Sequence, residues 1–165
     1  MIDFNNIKFA AFDFDDTLCV HQRHTRWSDL QFDIDVLKFR SGEGKSPWYN
    51  SRPNKSLNKF INVLADRDVL LGLISAEHNG MAQNYKVEWV KENYDNGHLL
   101  HNFCVGRGSD KVIMLQSIKS YYELEASKIL LVDDSTSLLN DASSEGFQVA
   151  TPIEIATFVE NDFKW

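Results

Sequence analysis

The chain has 165 residues, of which 43% are hydrophobic and 25% charged, values that fit one globular domain (1–165) with a real core and leave too little length for two. No apolar run approaches the roughly 18 residues that span a bilayer, the first residues lack the basic start of a secretory signal, and Cys19 and Cys104 are too few for a disulfide framework, so a cytoplasmic protein without membrane contact is expected. The net charge of −7 is uneven, with seven bases against four acids (+3) between Leu18 and Asn58 and −10 elsewhere, a balance that argues against general duplex-DNA binding and suits recruitment of an anionic substrate.

In chain order, Lys8–Asp13 reads as a strand and runs into Asp13-Phe14-Asp15-Asp16-Thr17. Leu18–Ser51 follows, 34 residues without a clear period and too long for an ordinary connection. It reads as an elaborated flap, a hairpin plus a short helix near Trp27–Phe39. Trp27, Trp48 and Tyr49 lie among its bases, where they could stack a nucleobase or, more simply, form a small core that keeps the flap folded. Asn54 caps a helix through Ala65 that places Leu57, Phe60, Ile61 and Leu64 on one stripe. Val69–Ser75 is the second strand and Met81–Tyr94 a helix that is less cleanly amphipathic. Asn102–Gly106 is the third strand, after which Ser109 caps a helix through Tyr122 with Val112, Leu115 and Ile118 inward. Ile129–Asp133 is the fourth strand; Ser135 caps Thr136–Glu145, and Gly146 sits where a C-terminal glycine belongs. Phe147–Ala150 is the last strand. Thr151-Pro152-Ile153-Glu154 then joins a capping threonine, proline at the first helical position and glutamate at the third.

Continuous apolarity in Val69–Ile74 and Ile129–Val132 implies burial on both faces, as in a parallel sheet. Alternating strand and helix gives an α/β, three-layer, doubly wound sheet of about five strands with flanking helices. In such sheets ligands gather beyond the carboxyl ends of the strands, so the residues that end the strands are the candidates for chemistry. The first strand ends in Asp13 and Asp15, the second in Ser75 and the fourth in Asp133 and Asp134, while Lys111 opens the helix after the third. Burying acids at a strand end is costly unless a cation or donors meet them.

Acid pair, hydroxyl, lysine, acid pair, in this order, resembles motifs I to IV of the haloacid dehalogenase superfamily, whose members are mostly phosphatases with a Rossmann-like core. The resemblance spans nearly the whole chain, and Leu18–Ser51 matches no motif. It implies that Asp13 attacks phosphorus to form an aspartyl-phosphate, and that Asp15 serves as acid and base. Ser75 and Lys111 would hold the phosphoryl group, with Thr17 a further phosphate-binding candidate that more simply shapes the turn and donates to a neighbour. It also implies Mg²⁺ held by Asp13, Asp15 (through its backbone carbonyl) and one acid of the Asp133–Asp134 pair, assigned here to Asp134 with Asp133 on a metal-bound water, the order within the pair being open. Electrostatics agrees, because four carboxylates cannot share a small site unaided, and Mg²⁺ takes few side-chain oxygens. Lys86 and Lys119 are weaker competitors for the lysine role. Asp16 stands where the family often has glycine, and Asp141 reads as surface.

The short gaps between motifs imply a member without a cap domain and an open site. Arg52-Pro53 resembles a dipeptide of capless members that act on phosphoproteins or nucleic-acid ends. A small-molecule phosphomonoester, a nucleotide or nucleic-acid end, and a phosphoprotein are therefore the substrate classes implied. Rivals from other classes are a receiver-like phosphoryl-transfer regulatory domain and a catalytically silent phosphate-binding domain. A receiver would place its lysine at the fifth strand and its acceptor at the third, which this order does not.

Overall fold

The computed structural model describes residues 2–21, 34–43, 46–48 and 51–161. Strands β1 (Phe9–Phe12), β4 (Leu70–Leu73), β5 (Leu100–Asn102), β6 (Ile129–Val132) and β7 (Gln148–Ala150) form one sheet in the order β5-β4-β1-β6-β7. All four pairings are parallel. Two short strands, β2 (Cys19–Val20) and β3 (Arg52–Pro53), make a separate antiparallel pair.

The strand β1 is central and wholly buried. Ala10 and Phe12 face one side with Leu71, Leu73, Leu130 and Val132. Phe9 and Ala11 face the other with Ile74, Ile129 and Leu131. Helices α1 (Lys55–Ala65), α2 (Gly80–Asn93) and α5 (Pro152–Glu160) cover the first side through side chains such as Leu57, Phe60, Trp89 and Ile155. Helices α3 (Asp110–Tyr121) and α4 (Thr136–Ser144) cover the second with Leu115, Ile118, Leu139 and Ala142. The result is the three-layer arrangement that the apolar runs imply, each buried Leu or Phe contributing about 1.5–3 kcal/mol. Phe4 ties the N-terminal segment in, stacked on Phe158 at 4.2 Å and edge-on to Phe60 at 5.4 Å.

Local signals fix most helix ends. The Asn54 side chain accepts from Ser56 and Leu57 N–H groups. Thr151 and Glu154 form the full capping box, at 3.2 and 2.7 Å. Gly146, at φ +86°, turns the chain after α4. Two expected caps differ. Ser109 has helical dihedrals and makes no side-chain cap. The Ser135 hydroxyl caps nothing either, pairing instead with the Ser137 hydroxyl at 3.2 Å.

The third strand begins earlier than the sequence predicts, at Leu100, whose side chain packs in the core. The extended chain still follows β4, with Phe103 N–H donating to Leu73 O and Val105 N–H to Ser75 O.

The flap starts and ends side by side through the β2–β3 pair. Residues 34–40 are helical, partly matching the expected helix, whose earlier portion, Trp27 included, lies outside the described residues, as does Tyr49. Trp48 is 1% exposed. It stacks on Tyr85 and meets Phe39 and Phe14 edge-on. The flap thus carries a small aromatic core docked on α2, and Arg40 fastens it further to buried Glu77 at 2.6 Å. Among the described residues no helix is long and apolar enough to cross a membrane.

Candidate active site

Because β1 lies between β4 and β6, its last residues meet the ends of both neighbours. The Asp13 N–H continues the ladder to Val132 O at 2.9 Å, leaving the Asp13 side chain 8% exposed just beyond the sheet. The chain then folds back tightly. Leu18 N–H donates to Asp13 O and Cys19 N–H to Phe14 O. Asp16 takes the left-handed conformation, φ +53°, which aspartate tolerates better than most residues.

Four of the sequence-predicted residues converge. Lys111, on the inward stripe of α3 with Leu115 and Ile118, places Nζ 2.6 Å from Asp13 Oδ1 and 2.7 Å from Asp133 Oδ2. The other Asp133 oxygen accepts from Ser135 N–H, so both are engaged. Asp134 is exposed, and one oxygen each from Asp13, Asp133 and Asp134 lie within 4.8 Å of one another. The four residues line a cleft of about 370 Å³ with Ser135 and Asp141. Asp141, read from its spacing as surface, is exposed but opens on this cleft.

Electrostatics follows from this crowding. Burial lifts the Asp13 carboxyl to about 7; the Lys111 ammonium opposes that shift and the neighbouring Asp133 adds to it. Burial alone would lower the Lys111 pKa, but Asp13 and Asp133 raise it instead. Asp134 is raised by burial first, then by Asp133 and Asp16.

Asp15 and Ser75 occupy a second cluster. Asp15 Oδ2 meets Lys86 Nζ at 2.7 Å, and Oδ1 accepts from Trp48 Nε1 at 2.8 Å. His21 Nε2 is 3.1 Å from the same Oδ1. A carboxylate only accepts, which puts the proton on Nε2 and leaves Nδ1 facing the Ser51 hydroxyl at 2.9 Å. Burial alone would raise the Asp15 pKa, but the donors from His21, Lys86 and Trp48 hold it well below the usual carboxylate range. Ser75 is 1% exposed and its Oγ accepts from Lys86 Nζ at 2.9 Å. The Asp15 carboxylate therefore stands apart from the three-acid group. Thr17 is fully buried, and its hydroxyl has no partner among the described residues, so the expected donation to a neighbour is not seen among them.

Sequence reasoning undervalued Lys86 and gave His21 no role. A signal for Lys86 existed. The buried residues of α2 are Ala82, Lys86, Trp89 and Val90, so the lysine sits on the inward stripe at i, i+4, i+7, i+8 and blurs the helix's amphipathicity. His21 and Trp48 carry no comparable signal, because the flap has no period to place them.

No protein-family model matches the sequence, and no curated protein matches it. Solved structures do match in fold. A haloacid dehalogenase-like family hydrolase from Xanthomonas campestris aligns with TM-score 0.63 at 12% identity, covering 94% of this chain and 91% of its own. The cobalt-bound form of the deoxy-D-mannose-octulosonate 8-phosphate phosphatase from Haemophilus influenzae aligns with TM-score 0.55 at 15% identity, over 88% and 68% of the two chains. A HAD family enzyme from Bacteroides thetaiotaomicron, in complex with magnesium and inorganic phosphate, aligns with TM-score 0.52 at 12% identity, over 88% and 93%. The chain has the fold of the haloacid dehalogenase-like hydrolases.

Proposed function

We propose that the protein is a Mg²⁺-dependent phosphomonoester hydrolase that works through an aspartyl-phosphate on Asp13. The observation that carries this reading is the buried Lys111, clamped between Asp13 and Asp133 beside the exposed Asp134 at the open end of the sheet. The second oxygen of Asp13 is left for chemistry. Structural neighbours described as a phosphatase and as a magnesium and phosphate complex support it.

The donor set fits the metal, being three carboxylates that offer oxygens within 4.8 Å and no sulfur or nitrogen ligand. Asp13 and Asp134, with the backbone carbonyl of Asp15, would hold Mg²⁺, and Asp133, with both oxygens engaged, stands behind them. The ion would neutralise the crowded acids and draw charge from the phosphoryl oxygens.

The remaining steps belong to the chain's own groups. An Asp13 oxygen attacks phosphorus as the bond to the leaving alcohol breaks; Asp15, which its donors hold ionised in the resting site, must first take a proton from solvent to give one to that alcohol. Water then attacks the phosphorus, returning a proton to Asp15 as the Asp13–phosphate bond breaks. Lys111 and the Ser75 hydroxyl hold phosphoryl oxygens and the charge spread over them. The described residues of the flap reach Asp15 through His21 and Trp48, and none of them lines the Asp13–Asp134 cleft, which supports an open site for a phosphomonoester. Free Cys19 and Cys104 support a reducing, cytoplasmic setting, and residues 1–165 act as one catalytic domain in this reading.

With p-nitrophenyl phosphate and Mg²⁺ the wild type should release phosphate, and Asp13→Asn should lose roughly a thousandfold or more of kcat. Turnover undiminished in chelator, or full activity in Asp13→Asn, would refute the mechanism.

A further inference from the structure

We propose that Lys86 is a positioning residue of this site, a single buried ammonium that orients both Asp15 and Ser75; the inference rests on the phosphatase reading above. Lys86 is 1% exposed and comes from the middle of α2, 71 residues along the chain from Asp15 and 11 from Ser75. Its Nζ lies 2.7 Å from Asp15 Oδ2 and 2.9 Å from Ser75 Oγ. The rings of Phe14 and Trp48 flank it at 5.2 and 5.3 Å.

Burying a charged pair is a poor route to stability, since well-packed apolar side chains of similar size commonly do as well or better. A lysine on the inward stripe of α2, where leucine or methionine would pack, therefore needs another reason. Its two contacts supply one. By donating into a lone pair of the Ser75 hydroxyl, Lys86 leaves that group's own proton to point elsewhere. No acceptor among the described residues takes it, so the Ser75 O–H is set to donate to a phosphoryl oxygen. On the other side the ammonium holds one Asp15 oxygen while Trp48 and His21 hold the second, which fixes the plane of the carboxylate. Lys86 touches neither the nucleophile nor the three-acid group in any hydrogen bond. It acts through the two side chains it joins.

The test is a double-mutant comparison on p-nitrophenyl phosphate with Mg²⁺. Lys86→Met keeps length and apolar bulk and should lower kcat by about 10- to 100-fold, the cost of a small misplacement of reacting groups. In the Asp15→Asn/Ser75→Ala background the same substitution should lower kcat by less than about twofold, because its targets are gone. A purely structural lysine would give the same loss in both backgrounds, and that result overturns the proposal. Unchanged kcat in Lys86→Met alongside an active wild type also overturns it and leaves the phosphatase reading standing. Absence of wild-type turnover overturns both. Should Lys86→Met fail to fold, nitrogen-15 NMR of the wild type decides: a slowly exchanging Lys86 ammonium signal that is lost in Asp15→Asn supports the proposal, and a rapidly exchanging one refutes it.

Discussion

Asp134→Asn removes one of three converging carboxylates with almost no change in side-chain size, and it should stabilise the metal-free protein. The three oxygens lie within 4.8 Å of one another. At that separation two unit charges repel by about 3.5 kcal/mol at an effective dielectric near 20, and by about 0.9 kcal/mol in water. Lys111 offsets part of the repulsion, being bonded to the other two acids, and Asp134 is exposed to screening solvent. The lower end therefore applies, a gain of about 1 kcal/mol. For a chain of this size that corresponds to a rise in Tm of about 2–4 °C. Thermal melts in EDTA read it directly. Adding Mg²⁺ should reverse the order, because an ion bound only by the folded state raises stability in proportion to its affinity, and the variant has lost a ligand. A lower Tm for Asp134→Asn in chelator, or an equal Mg²⁺-induced rise in both proteins, would mean that these acids do not share an ion.

Two further predictions concern the scaffold. Burial pushes the Cys19 thiol from its ordinary 9 up to about 12 and raises that of Cys104. The native protein at pH 8 should thus show no rapid reaction with a disulfide reagent, and two thiols after unfolding; one fast native thiol would contradict this. A folded pKa above the unfolded one means that the neutral Cys19 thiol contributes stability below pH 9, lost as the pH rises through about 12, so Cys19→Ala should flatten the alkaline limb of a stability profile. Gly97 packs so closely on the Val90 carbonyl that an added Cβ would collide with backbone, whereas Gly80 has open space. Gly97→Ala should cost about 1–3 kcal/mol by overpacking and Gly80→Ala should be neutral or stabilising by up to about 1 kcal/mol. Equal melting temperatures for the two variants would refute the packing argument.

The sheet was legible in the sequence because its strands are buried on both faces and so read as unbroken apolar runs. Caps at Asn54 and Thr151 were legible because their chemistry is local. Ser109 and Ser135 misled for the converse reason: a serine before a helix caps only if its hydroxyl turns to the first-turn N–H groups, and Ser109 is itself helical while the Ser135 hydroxyl pairs with Ser137. The start of β5 shifted because Leu100 had a core to enter, a tertiary fact. Asp13, Lys111, Asp133 and Asp134 could be placed near one another because strand order alone brings strand ends together. What strand order could not say is which cation each acid would meet. The partners of Asp15 come from a flap without period and from mid-helix, and both are settled only by packing.

That pairing makes the layered fold part of the site's electrostatics. Asp13 and Asp15 leave the same strand two residues apart, yet each is met by a buried ammonium from a different layer, Lys111 from α3 on one side of the sheet and Lys86 from α2 on the other. Neither acid competes for the other's cation. Asp15 and Lys86 balance, whereas Asp13, Asp133 and Asp134, once all three are ionised, leave two negative charges against Lys111 in the open cleft. A carboxylate group with that residual charge binds a divalent ion more readily than a monovalent one, since only the former cancels it. Moving Lys86 to the three-acid cluster would leave one negative charge there and strand Asp15 without its ammonium. In the proposed mechanism this separation of the two lysines by the sheet would leave the first aspartate of one short acidic turn to a metal and its third residue to proton transfer.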